Sequence, residues 1–235
     1  MKLVAGIDEA GRGPVIGPLG LAIVACEEPV RQLLSKSGVR DSKVLSVKKR
    51  LDLARLIRKS CFHAYTLIPP GKIDASMLDE DSSLTVLEAN ESAKLIARIA
   101  KKLSRKETLS RIIIDLPSRN KSSYIAAIRS CLPSSLKQLE IIAEHRADEN
   151  HVQVSAASIL AKVARDSAIR SFEKNHGVGL GSGYPSDPNT KTALRNHFDL
   201  LESESFLRMQ WATVKALQQE KLQSSLSDFY NEPSS

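Results

Sequence analysis

The chain is sparing with aromatics and cysteine: among 235 residues there are one Trp, four Tyr, five Phe and three Cys. Cys26, Cys61 and Cys131 stand far apart in apolar surroundings with no C-x-x-C spacing. That excludes a dense disulfide framework and a cysteine zinc site, and fits buried thiols in a reducing compartment. No apolar run approaches the roughly 20 residues a membrane span needs, and the N-terminus lacks a basic segment followed by a long apolar one. No membrane association is expected, and the cytoplasm is the expected location. No internal repeat points to a solenoid. His63, His145, His151, His176 and His197 are scattered, so none is assigned as a metal ligand or general base, and His145 reads as a structural hydrogen bonder.

What is present is positive charge. Lys and Arg number 34 against 27 Asp and Glu, a net charge of +7 with a pI near 9.3. Such a balance favours a polyanionic partner over an acidic one, although a soluble protein that happens to be basic satisfies it too.

Short apolar runs separated by breakers predict strands at KLVAGID, LGLAIVAC, CFHAYTLI, SRIIID and LEIIAE. Helical spacing predicts helices at residues 46–60 behind a Ser46 N-cap, 84–103, about 122–132, about 154–173, and in TKTALRNHF and RMQWATVKALQQEKL. Three early strands followed by alternating helices and strands predict an α/β protein with a mixed central sheet flanked by helices. The expected organisation is a catalytic domain over 1–200, a helical extension packed on it over 201–222, and a flexible tail over 223–235.

Acids mark the ends of two predicted strands. Asp8 closes an apolar strand and is followed at once by Glu9 and the loop GRGP, while Asp115 closes IIID before a proline break. An unpaired carboxylate is costly to bury, and strand ends are where α/β sheets bind ligands. On the predicted helix VSAASILAKVARDSAIR, residues Ser155, Ser158, Lys162, Arg165 and Asp166 share one side. That side is either a solvated face with a Lys162–Asp166 pair or a surface closing over the strand ends, with Asp166 near the other acids. Clustered carboxylates repel one another unless hard cations such as Mg²⁺ or Mn²⁺ hold them. Two such ions about 4 Å apart can activate water and stabilise a leaving oxygen in phosphodiester hydrolysis.

The stretches GIDEAGRGPVIGPL, DSKVLS, IIID, EHRAD, VSAASILAKVARD and GSGYPSDPNT, in that order, resemble the type 2 ribonucleases H. GSGYPSDPNT and WATVKAL resemble the archaeal and eukaryotic branch. The resemblance implies a ribonuclease H-like fold and cleavage of RNA in RNA/DNA hybrids and at single ribonucleotides in duplex DNA. Carried over by motif, the metal-binding and catalytic acids fall on Asp8, Glu9, Asp115 and Asp166. The backbone of Gly11, Arg12 and Gly13 would meet the ribose 2′-hydroxyl, and Tyr184 would stack on the following sugar. Lys43, Lys162 and Arg165 are candidate phosphate contacts.

Residues 223–230, QSSLSDFY, place a glutamine, an aliphatic and two aromatics at spacings of three. The pattern resembles a sliding-clamp-binding peptide, with Leu226, Phe229 and Tyr230 as apolar anchors and Gln223 as the polar contact. The alternative is that the aromatics fold back on the enzyme. Nothing demands an oligomer. Two rivals remain: another two-metal nuclease of this fold, and a non-catalytic nucleic-acid-binding subunit tethered to the clamp.

Overall fold

The computed structural model describes residues 1–40 and 45–231, with side chains as far as residue 223. Lys43 and the side chains of Leu226, Phe229 and Tyr230 therefore lie outside the described residues.

Strands β1 (Lys2–Ala10), β2 (Leu19–Cys26), β3 (Phe62–Ile68), β4 (Thr108–Asp115) and β5 (Glu140–Glu144) form one sheet in the order β3-β2-β1-β4-β5. The first three strands are an antiparallel meander, and β4 and β5 run parallel to β1. The parallel half requires crossovers. One is supplied by α4 (Leu84–Lys102), between β3 and β4, and another by α5 (Lys121–Cys131), between β4 and β5.

Alternation along β1 sorts its side chains between two cores. Leu3, Ala5 and Ile7 face α4 and α5, where Ala89, Ala93, Ile96, Tyr124 and Ile128 meet Ile23, Ile112 and Ile114. The opposite face packs under α7 (Val152–His176). There Ala156, Ile159 and Leu160 join Ala22 and Val24, together with Leu34 of α1 (Glu28–Lys36) and Leu53 and Ile57 of α2 (Val47–Ser60). Gly6 sits where α7 crosses β1, and a Cβ there would run into the backbone of Gln153 and Val154. The absent side chain lets the helix approach the strand.

Ser46 caps α2 as expected, accepting from the Lys49 N–H at 3.3 Å. Three helices were not anticipated: α1, α3 (Pro70–Leu78) and the single turn α6 (Ala147–Asn150). The PPG after β3 reads as a break, yet Pro70 begins a helix, because proline is favoured in a first turn that needs no N–H donor.

A third cluster joins Val15, Ile16, Ile169 and Phe172 to α8 (Pro188–Ser203) and to Leu207 and Val214, so the C-terminal part packs on the first loop of the chain. Residue 200, the expected domain boundary, lies in α8, and α9 (Ala212–Asn231) spans residues 222 and 223, where the expected extension meets the expected tail. Among the described residues no helix is long and apolar enough to cross a membrane.

Candidate active site

Asp8 and Glu9 are successive residues at the end of β1 and point to opposite faces of the sheet, yet they serve one cavity. Asp8 lies on the α7 face, where it accepts hydrogen bonds from Ser158 and from the Glu9 N–H at 2.7 Å. Glu9 lies on the α4 face, near Glu88 and Arg12. Because β1 and β4 are parallel neighbours, with Ile7 opposite Ile114, the next residues Asp8 and Asp115 emerge side by side. The Ala147 N–H fixes Asp115 through Oδ1 at 2.8 Å. One carboxylate oxygen from each of Asp8, Glu9 and Asp115 lies within 4.8 Å of the others.

Crowding and burial set the electrostatics. Burial, then the charges of Glu9 and Asp115, hold Asp8 well above the usual carboxylate range. Burial, then Glu88 and Asp115, push Glu9 up to about 8. Carboxylates in this state repel as anions, and their oxygen-only donor set fits a hard divalent cation, whose charge would restore ionisation.

The loop after β1 bends at Gly11, whose φ of +88° is readily reached only by glycine. Its Arg12 side chain is fully engaged: Nε donates to Glu88 at 3.0 Å, Nη1 to the Pro117 carbonyl at 2.7 Å and Nη2 to Thr85 Oγ1 at 3.1 Å. Glu88 is 1% exposed, and burial pushes it up to about 7 despite Arg12. Tyr184 is 45% exposed, lines the same cavity, and sets its ring edge against Gly13.

Asp166 does not join the acids. Its Oδ1 accepts from Lys162 Nζ at 2.8 Å and its Oδ2 from Arg50 Nη1 at 3.2 Å, on the flank of the cavity. The reason is helical rise: Asp166 follows Ser158, the residue that touches Asp8, by two turns of α7, about 12 Å along the axis. The Lys162–Asp166 pair foreseen as the alternative is what forms. The acid that shares the cavity with Asp8, Glu9 and Asp115 is Asp148, on α6. Arg146, in the left-handed region at φ +59°, turns the chain from β5 into that helix. A signal for Asp148 was available, since EHRAD begins at the last residue of β5 and so places an acid just past a third strand end.

Lys162 lines the cavity with its side chain 38% exposed. Arg165 also lines it but is 3% exposed, lies beneath Gly11 and donates to the Ile16 carbonyl at 3.2 Å, so it supports the loop rather than standing open at the surface. Gln223 is exposed on α9. His145 bonds the Leu116 carbonyl through Nδ1 at 3.1 Å, the structural role expected of it.

The family model for Ribonuclease HII matches residues 5–214, which include every residue lining this cavity. A Ribonuclease HII from Methanococcus maripaludis (strain C5 / ATCC BAA-1333) is 43% identical over 220 residues, 93% of this chain and 88% of the relative. The ribonuclease H2 from Pyrococcus horikoshii OT3 superposes with a TM-score of 0.77 at 32% identity, covering 93% of this chain and 98% of that one. The enzyme chain in the PCNA:RNase HII complex from Archaeoglobus fulgidus does so with a TM-score of 0.75 at 34% identity, covering 89% and 95%. Sequence, fold and the acids at the strand ends agree: this chain belongs to the ribonuclease HII family of metal-dependent endoribonucleases acting on RNA/DNA hybrids.

Proposed function

We propose that the chain, besides cutting the RNA strand of hybrids, cleaves on the 5′ side of single ribonucleotides in duplex DNA, leaving 3′-hydroxyl and 5′-phosphate ends. Its tasks would be ribonucleotide removal and primer clearance, performed by a monomer in the cytoplasm. The observation that carries this reading is the convergence of three carboxylates within 4.8 Å beside a loop whose backbone lines the same cavity.

Asp8, Glu9, Asp115 and Asp148 would hold two Mg²⁺ or Mn²⁺ ions. When bound, such ions would activate the attacking water and neutralise charge at the leaving oxygen. The chain's own part is positioning. Ser158 and the Glu9 N–H orient Asp8, and the Ala147 N–H orients Asp115. Lys162, steadied by Asp166, stands at the rim for a phosphate. The backbone of residues 11–13 would meet the 2′-hydroxyl, the group that separates RNA from DNA, and the half-exposed Tyr184 ring offers a stacking face for the next sugar. The clamp reading rests on QSSLSDFY and on the relative from Archaeoglobus fulgidus in a PCNA complex.

The test is a duplex with one embedded ribonucleotide, incubated with wild-type protein and with Asp8→Asn in Mg²⁺, Mn²⁺ or chelator. Wild type should cut once, 5′ of the ribonucleotide, only with metal, and Asp8→Asn should lose at least about a hundredfold in rate. Equal cutting by Asp8→Asn would refute the metal-site assignment.

A further inference from the structure

Arg208 is 0% exposed, the largest fully buried side chain of the described residues, and no carboxylate accepts its hydrogen bonds. Its guanidinium serves three backbone carbonyls instead. Nη2 donates to Gly11 O at 2.6 Å, Nη1 to Arg12 O at 2.9 Å and Nε to Gly17 O at 3.1 Å. The Trp211 ring lies 5.1 Å from the guanidinium carbon and its Nε1 donates to Gly13 O at 3.3 Å. Arg208 is itself anchored. Its N–H donates to Val15 O at 2.9 Å, Leu207 bridges Ile16, and buried Asp74 accepts from the N–H groups of Met209 and Gln210 at 2.8 and 3.0 Å.

Burying a guanidinium is expensive, and a planar fork of donors matches several fixed acceptors at once, which a lysine cannot do. Here the acceptors are the carbonyls of the loop that lines the acidic cavity. In a trans peptide the N–H of one residue points opposite to the carbonyl of the residue before it, and the described residues contain no cis peptide. With the Gly11 and Arg12 carbonyls turned inward to Arg208, the N–H groups of Arg12 and Gly13 turn outward. Neither has a hydrogen-bond acceptor among the described residues. Gly11, Arg12 and Gly13 line the cavity and Arg208 does not. The Gly13 carbonyl precedes Pro14, which has no N–H, so Trp211 fixes the exit of the loop without adding a donor.

We infer that Arg208 sets the hydrogen-bond polarity of the loop, presenting the Arg12 and Gly13 N–H groups as a donor pair for a ribose oxygen, and is therefore a positioning residue for ribonucleotide recognition. This deepens the proposed function and rests on its reading of the loop as the ribose contact. A purely structural Arg208 would affect binding of any duplex alike. A polarity-setting one acts on the ribonucleotide.

The experiment compares wild type, Arg208→Lys and Trp211→Phe. It measures kcat and KM on a duplex with one ribonucleotide, Ki for the same duplex made wholly of DNA as a competitor, and the melting temperature. Arg208→Lys should lose about 30-fold in kcat/KM, the scale of charge-assisted hydrogen bonds, and Trp211→Phe about threefold. In both variants Ki for the all-DNA duplex should stay within about twofold of wild type, since general duplex binding rests on phosphate contacts. An unchanged kcat/KM in folded Arg208→Lys, or a Ki that rises in step with the loss, overturns the inference. If Arg208→Lys does not fold, Trp211→Phe decides by the same criteria: a selective loss supports the inference and no loss overturns it. Failure of the wild type to cut the ribonucleotide duplex would instead overturn the proposed function.

Discussion

Asp148 and Asp166 show what a residue's environment decides that its type does not. Both are acids in motif-like stretches, but Asp148 shares a cavity with three other carboxylates, whereas Asp166 accepts from Lys162 and Arg50. A carboxylate already held by two cations has little to offer a metal, while one lining the acidic cavity is placed to serve one. Asp148→Asn should therefore cut hybrid cleavage by at least about a hundredfold and weaken Mn²⁺ binding. Asp166→Asn should cost about tenfold, mainly in KM, because it frees Lys162 without removing an acid from the cavity. Rates on a short hybrid and a Mn²⁺ titration of each variant check this, and a larger loss in Asp166→Asn than in Asp148→Asn would reverse the two roles. In the sequence, Asp8, Glu9 and Asp115 were legible because each sits at or beside the end of an apolar strand. Asp166 lies apart from them because side-sharing on a helix says nothing of distance along its axis, whereas Asp148, which lines the cavity, follows a third strand end by the same logic.

At the scale of elements, the strands and long helices were legible because burial on one or both faces leaves an apolar period in the sequence. Helices α1 and α3, of nine residues each, were not, being too short to establish a period, and α3 begins at a proline that also reads as a stop. The crossing of β1 by α7 was invisible for a different reason: what permits it is the absence of a side chain at Gly6. That crossing holds Ser158 against Asp8, so packing and chemistry share one contact. Gly6→Ala would force the new methyl into the backbone of Gln153 and Val154, shifting the start of α7. The expected cost is about 3 kcal/mol of stability, at the upper end for overpacking. Urea denaturation should show an earlier midpoint with little change in slope, and a stability loss below about 0.5 kcal/mol would mean that α7 accommodates the methyl without strain.

At the scale of the whole molecule, the acidic cavity and the C-terminal motif proposed to bind a clamp occupy separate parts of the chain. The cavity draws on β1, β4, α6, α7 and the loop at Tyr184, each anchored in a buried hydrophobic cluster. QSSLSDFY lies on the last described turns of α9, beyond Val214 and Leu217, the residues of that helix that pack into the third cluster among those whose side chains are described. A net charge of +7 attracts the enzyme to any duplex, but without sequence preference, so it cannot direct it to the few places where ribonucleotides remain. Tethering to a ring that encircles DNA would raise the local enzyme concentration on that DNA toward the millimolar range without altering any contact in the cavity. Two consequences separate this from a catalytic role for the tail. Removing residues 223–235 should abolish binding to an isolated clamp while leaving kcat/KM on a short ribonucleotide-containing oligonucleotide within about twofold of wild type. On a circular DNA loaded with clamps, the same truncation should slow cleavage by about tenfold or more, the lower range of avidity gains. A truncated protein that still binds the clamp would place the contact elsewhere. One that loses activity on the short oligonucleotide would show instead that the tail folds back toward the substrate, since only then would a duplex too short to carry a clamp register its loss.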